Sequence, residues 1–268
     1  MNRFFVEKIN LKDKQIILND HAQAHHLRDV LRIKPLELVA VFDKQGNEYI
    51  ASVIEIGADA IKLELKERRL LKDSGIKITV ACAIPKKVKM DDIVDKLTQL
   101  GVDRIIPLLT ERVIVKIDAK NAQSKLSRWR KIAQSASEQS QRNIVPVIDK
   151  VKSLKEVLKE ADKFDLKIIP TLEGNIKKLS LRGAIAIPRP SLRGATRRSN
   201  LNTGSGQAAQ SQNILVLIGP EGDFTPDEVA KALELGFLPI TLGDRVLRVD
   251  TAAIAVVSFI KLNEQSNH

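Results

Sequence analysis

The sequence predicts an α/β protein in two parts: a small β-barrel domain over residues 1–72, then a domain built on a largely parallel sheet over residues 73–268. Three observations carry this. Residues 1 to about 70 hold short strand-like runs broken by turn residues. From residue 76 onward, short continuous apolar runs alternate with helical periodicity, the pattern of parallel strands covered on both faces. Near the end, Asn213–Leu262 reads strand, loop, helix, strand, loop, helix, and each strand is followed by a glycine-bearing loop.

In the first part, Ile16–Leu18, Leu36–Asp43, Glu48–Ile56 and Ala60–Lys66 read as strands, with a hairpin turn at Lys44-Gln45-Gly46-Asn47. One helix interrupts them at roughly 20–32, with Leu27, Val30 and Leu31 on its apolar side. His21 and His25 are four apart, but no third ligand accompanies them and no Glu stands between them as in H-E-x-x-H, so no metal site is expected. His25, Arg28 and Arg32 can instead form a phosphate-facing edge, with plain solvent exposure as the competing reading. Arg68–Ser74 is a charged linker and marks the boundary.

The second part opens with a strand over 76–84 and a helix over about 88–100, with Met90, Ile93, Val94, Leu97 and Leu100 at helical spacing and Gly101 as its stop. Ile105–Leu109 is a strand. Residues 121–140 make a long helix that buries Leu126, Trp129, Ile132, Ala133 and Ala136; Trp129 is read as core rather than as a platform for a base. Residues 151–162 are read as helix and Leu166–Ile169 as a strand ended by Pro170. Residues 183–212 carry no hydrophobic period and are read as an inserted flexible loop. Ile214–Ile218 is a buried strand. Thr225-Pro226 with Glu228 is a capping box with proline at the first helical position, and Gly236 ends that helix. Leu238–Leu242 is a strand read as adjacent to the previous one, and Asp250 or Thr251 caps a final helix that is apolar nearly all round.

Composition narrows the function classes. The net charge of +11 suits an acidic partner such as nucleic acid. Seven of the basic residues fall in 174–212 without an acidic residue, so the more telling run is 112–131, with seven Lys/Arg, among them Arg112 and Lys116, against Asp118 alone. A single cysteine, Cys82, excludes a disulfide framework. The longest apolar run, Ala252–Ile260, is too short to cross a bilayer and no secretory leader is evident, so the expected location is the cytoplasm, with no membrane partner. GPEGDF has neither dinucleotide-fingerprint nor P-loop spacing.

Ile218-Gly219-Pro220-Glu221-Gly222-Asp223-Phe224, followed by Leu242-Gly243-Asp244-Arg245-Val246-Leu247-Arg248-Val249-Asp250-Thr251-Ala252, resembles the signature of the RsmE family within the SPOUT superfamily. Arg3-Phe4-Phe5, the segment His26–Arg32, Lys96–Gly101, Glu111-Arg112, Arg128-Trp129 and Glu138–Arg142 resemble its landmarks in the right order, so nearly the whole chain is covered. Asp223 stands where that family usually has glycine, Val249-Asp250 replaces Thr-Glu, and Gln99 replaces Glu. Glycine there can serve a close approach of the cofactor or a positive φ, which aspartate is among the few residues to tolerate.

The resemblance implies a PUA-like RNA-binding barrel followed by a trefoil-knotted SPOUT domain. It implies S-adenosyl-L-methionine as cofactor, methylation of N3 of a specific uridine (the position 1498 type) in 16S ribosomal RNA of the small subunit, and a homodimer. Three loops would hold the cofactor, through Ile169, Pro170 and Thr171, through Ile218, Gly219, Pro220 and Gly222, and through Leu242, Gly243, Val246 and Leu247. Uracil N3 carries a proton, so the chemistry needs a base or cations that stabilise the anion. Arg142 and Arg248 are assigned to RNA binding or to that stabilisation and Glu221 to base or loop organiser, with structural salt bridges as the competing reading of each. Arg3, His25, Arg28, Arg32, Arg112 and Lys116 are the expected RNA contacts. The alternatives are a SPOUT methyltransferase with another RNA nucleotide as target, or a noncatalytic RNA-binding assembly protein.

Overall fold

The computed structural model describes residues 2–6, 9, 14–19, 24–43, 46–57, 60–69, 75–86, 90–113, 119–172, 177–185 and 212–265. The chain divides into two compact units: Met1–Asp73 with Ala133–Val145, and Ser74–Ile132 with Pro146–His268.

In the first unit, strands β1 (Arg3–Phe5), β2 (Gln15–Leu18), β3 (Leu38–Phe42), β4 (Glu48–Ile56) and β5 (Ile61–Arg69) form one sheet in the order β1-β3-β4-β5-β2. The β1–β3 pair is parallel and the other pairs are antiparallel. Period-two burial, as in the exposed–buried alternation of β2, turns one face inward, and the sheet curls around Phe4, Ile16, Leu18, Leu27, Val41 and Leu63. At the hairpin, Asp43 accepts from the Asn47 backbone and side-chain amides and Gly46 has φ 83°; Lys44 and Gln45 lie outside the described residues.

The helix read at 20–32 differs. Helical structure is described from Ala24, and His26–Val30 is a wide π turn. Leu27 is fully buried, but Val30 and Leu31 are exposed. The wider i→i+5 turn breaks the three-and-four spacing that would have stacked them on Leu27, and Arg32 at φ 50° leads the chain away.

In the second unit, strands β6 (Ile76–Ala83) and β7 (Arg104–Leu109) flank helix α1 (Met90–Gln99). Helix α2 (Ala119–Gln139) follows, then the short strands β8 (Val147–Ile148) and β9 (Lys152–Ser153) and helix α3 (Leu154–Leu158). The predicted 151–162 helix is thus a single turn and a half: Ser153 and Glu156 form a capping box that starts it late, and Ala161–Lys163 is a 3₁₀ turn. Next come β10 (Leu166–Pro170), β11 (Leu179–Ser180), α4 (Leu181–Ile185), β12 (Gln212–Ile218), α5 (Pro226–Glu234), β13 (Leu238–Thr241) and α6 (Val249–Gln265). Of the stretch read as an inserted loop over 183–212, Gly183–Ile185 continue α4 and Gln212 begins β12. Residues 186–211 lie outside the described residues.

All pairs in this sheet are parallel, in the order β11-β13-β10-β12-β6-β7-β8, with β9 also on β7. The two strands that precede the glycine loops, β12 and β13, are not neighbours; β10 lies between them. Local patterning cannot show this, since all three strands are short buried apolar runs. One face packs α3 and α5 over Leu215, Leu217, Phe224 and Val229. On the other, α6 packs on β6, β12 and α1. Trp129 is 3 % exposed and donates its indole N–H to Asp91 Oδ1 at 3.1 Å, so it is core as expected. Cys82 is fully buried and burial pushes its thiol up, leaving it inert.

Candidate functional site

In a parallel sheet, ligands bind beyond the carboxyl ends of the strands. Here three neighbouring strands, β13, β10 and β12, end together, and the loops that leave them enclose a cleft of about 640 Å³, counting space open to solvent. Pro170 and Thr171 line it from the β10 loop, Ile218, Gly219 and Pro220 from the β12 loop, and Leu242, Gly243, Val246 and Leu247 from the β13 loop. Ile169 and Gly222, also expected there, do not line it. Ile169 is fully buried in the core, and the Gly222 carbonyl is turned toward the Arg112 guanidinium, which also donates to Phe224 O at 3.2 Å. Val249 and Ala252, at the start of α6, close one side. That helix is not capped by Asp250 or Thr251: it begins at Val249, and Arg248 offers its carbonyl to Ala252 N at 2.8 Å.

The loop after β12 is tied down at several points. Thr225 and Glu228 form the expected capping box of α5, with Thr225 N on Glu228 Oε2 at 2.9 Å. The second oxygen of the same carboxylate accepts from Glu111 N at 2.9 Å, which joins the β7 loop to α5. Glu221 is exposed and accepts from the Lys86 backbone N–H at 3.1 Å, so it organises the loop after β6. Asp223, at φ 61°, lines the cleft, and its carboxylate accepts from Thr171 Oγ1 at 2.8 Å, Leu172 N at 2.7 Å and Phe224 N at 2.8 Å. Of the two reasons for a glycine at this position, a positive φ or a close approach of the cofactor, the structure has the first.

Glu221 and Arg248 belong to the second unit, and the exposed Arg248 side chain makes no hydrogen bond or ion pair among the described residues. Arg142 belongs to the first unit and is half-buried; its N–H bonds to Ser137 O at 2.9 Å in the C-cap of α2, where Gln141 takes φ 58°.

The expected RNA contacts are distributed unevenly. Arg3 pairs with Glu48 at 2.7 Å, bonds to Asn143 and lies over the Phe42 ring, with its side chain only 11 % exposed. His25 and Arg32 are exposed; Arg28 is bonded bidentately to Asp29. Within the basic run, Arg112 holds the β12 loop, Arg128 pairs with Asp91 at 2.6 Å and Arg130 donates to Ile148 O at 3.3 Å, so much of that charge serves the fold. Lys116 lies outside the described residues. Among the described residues, no cluster of His, Cys, Asp or Glu could hold a metal ion, and no helix is long and apolar enough to cross a membrane.

Sequence reasoning missed Asp223 as a lining residue and Arg112 as a loop anchor. The aspartate at a glycine position was the one available signal for the first; nothing local marked the second.

A family model described as an RNA methyltransferase domain matches residues 72–261, and one described as an RNA methyltransferase PUA domain matches residues 18–66. The ribosomal RNA small subunit methyltransferase E of Bacillus subtilis is 30% identical over 263 residues, 97% of this chain and 96% of that protein. A crystal structure of a ribosomal RNA small subunit methyltransferase E from Neisseria gonorrhoeae bound to S-adenosyl methionine superposes with a TM-score of 0.78 at 27% identity, covering 98% of each chain. A putative methyltransferase from Legionella pneumophila, in complex with the same cofactor, superposes with a TM-score of 0.78 at 27% identity over 97% of each.

Proposed function

Since this chain belongs to the ribosomal RNA small subunit methyltransferase E family, we propose that it methylates N3 of a specific uridine, the position 1498 type, in 16S ribosomal RNA, with S-adenosyl-L-methionine as donor. The observation that carries this is the cleft where three adjacent parallel strands end. Ile218, Leu242, Val246 and Leu247 offer apolar walls, and the backbone amides and carbonyls of the three loops offer the polar edge that an adenine needs. That lining suits an adenosine that carries an aliphatic chain at its ribose. When bound, the cofactor supplies a methyl group on a sulfonium.

The chain's own residues must present the uracil and manage its N3 proton. Glu221 is held at the rim by the Lys86 amide, in reach of the cleft it lines. Arg248 is exposed beside Leu247, free to meet the uracil as N3 loses its proton. Arg142, with His25 and Arg32, is assigned to RNA. Arg248→Ala is expected to lower kcat roughly tenfold at unchanged cofactor affinity, less than for a buried donor because water screens it. Single-turnover kinetics on small subunits would measure this.

A homodimer belongs to the same proposal, as does the trefoil knot of this fold family, whose chain order β10, β12, β13 accords with the spatial order β13-β10-β12. On α6, Ala253, Val256, Val257 and Ile260 are buried within the chain, while Ala252, Ala255 and Phe259 are half-exposed and Leu262 is 63% exposed. These recur at helical spacing, an apolar stripe that a second copy would cover. Light scattering is expected to give twice the chain mass, and a stable monomer at micromolar concentration would remove this part. The cytoplasm is the corresponding location. The whole reading is tested by isothermal titration with S-adenosyl-L-methionine, followed by mass spectrometry of 16S rRNA methylated in small subunits. Binding without 3-methyluridine would leave the fold reading standing and refute the reaction.

A further inference from the structure

We propose that Asp223 is a positioning residue that latches two of the three cleft loops together and so preforms the cofactor site. The inference rests on the cleft being the cofactor site. The latch is a single carboxylate with three donors. Oδ2 takes the Thr171 hydroxyl at 2.8 Å and the Leu172 amide at 2.7 Å, both on the β10 loop, while Oδ1 takes the amide of Phe224 on its own loop at 2.8 Å. The two loops are joined across about 50 residues of sequence, with separations of 52 and 51 for the first two bonds.

Its backbone sets the direction. Asp223 N donates to Pro220 O at 3.0 Å, which closes a turn over Pro220–Asp223, and φ 61° at its end aims the side chain at Thr171. Thr171 is itself 6% exposed, so its hydroxyl needs a partner within the protein, and it donates to the Asp223 carboxylate. Hydrogen bonds to a carboxylate are about twice as strong as neutral ones, and here they hold a loop that carries Pro170 and Thr171 into the cleft. Without them, the β10 loop would have to be ordered when the cofactor binds, and that cost would appear as lost affinity.

The role differs from a charge acting on the cofactor. A latch acts on loop order, so its loss weakens a charged sulfonium ligand and its neutral thioether product by the same factor. A carboxylate that faces the sulfonium would favour the charged ligand alone.

Asp223→Gly keeps the turn, since glycine takes a positive φ without strain, and removes the carboxylate. It is expected to weaken S-adenosyl-L-methionine and S-adenosyl-L-homocysteine equally, by about tenfold, and to abolish the hydrogen-exchange protection of the Leu172 amide. Asp223→Asn keeps the positive φ and one acceptor oxygen for Thr171 and Leu172, and is expected to stay within about threefold of wild type, a rescue by the conservative change. Thr171→Val is expected to cost less in the Asp223→Gly background than in wild type. Unchanged affinity and Leu172 protection in Asp223→Gly would overturn the latch, and so would a loss confined to S-adenosyl-L-methionine. A wild-type protein that binds neither ligand would instead overturn the proposed function.

Discussion

Replacing Gly219 with valine is expected to weaken S-adenosyl-L-methionine binding about a hundredfold while the protein stays folded. A Cβ at this position would stand 3.0 Å from two ring carbons of Phe224 and 3.3 Å from Asp223 Oδ1. Phe224 is 3% exposed and packed in the core beneath α5, so its ring has nowhere to withdraw. The loop must move instead. Overpacking of this kind costs about 1–3 kcal/mol, and the upper end corresponds to about two decades of affinity when the strained segment lines the binding cleft. Alanine brings the same first contact without the branched methyls and is expected to cost about tenfold. Titration calorimetry measures both, and circular dichroism checks the fold. Wild-type affinity in the valine variant would show that this loop does not face the cofactor.

The second large effect is on stability. Arg104 at the start of β7 bonds Asp149 through Nε at 3.2 Å and Nη2 at 2.6 Å, and Glu160 through Nη1 at 2.9 Å; Lys152 pairs with both acids, at 2.8 Å from Asp149. All four side chains are three-quarters buried or nearly so, which makes the cluster stronger than a surface pair. Burial pushes the Asp149 and Glu160 carboxyls up, but hydrogen bonds from Arg104 and Lys152 outweigh it and hold both below the usual carboxylate range. The Lys152 ammonium, pulled down by burial, is lifted above its ordinary value by hydrogen bonds to the same acids.

Arg104→Ala leaves two largely buried carboxylates with one lysine. It is expected to cost about 2 kcal/mol at neutral pH, or roughly 4–8 °C in Tm. Groups whose folded pKa is depressed add stability above their unfolded pKa and lose it as pH falls through the folded value. Wild type and variant should therefore differ most between about pH 5 and pH 9 and converge below about pH 4. Denaturant melts across that range would measure it, and an unchanged gap at pH 3 would contradict the account.

How much of this was legible in the chain depends on range. Period and end signals determined the element types: Thr225, Pro226 and Glu228 specify the start of α5 by themselves, and Gly101 and Gly236, at φ 92° and 79°, end their helices as expected. Buried runs such as Ile214–Ile218 determined that the sheet would be parallel and covered on both faces. Most of the residues that the family resemblance assigned to the three loops line the cleft. All of these depend on residues within a few positions of one another.

Only the tertiary structure decided the rest. The order β13-β10-β12 puts a third loop between the two that the sequence displays, because strands of equal apolarity carry no mark of their neighbour. The Asp223 carboxylate on Thr171, Arg112 on the Gly222 and Phe224 carbonyls, and Arg104 between Asp149 and Glu160 join residues 45 to 112 positions apart. Such partners are chosen by which strand ends the sheet brings together, and nothing local in the side chains announces the choice. The same holds for Val30 and Leu31, whose apolar character promised burial until a wide turn rotated them to solvent.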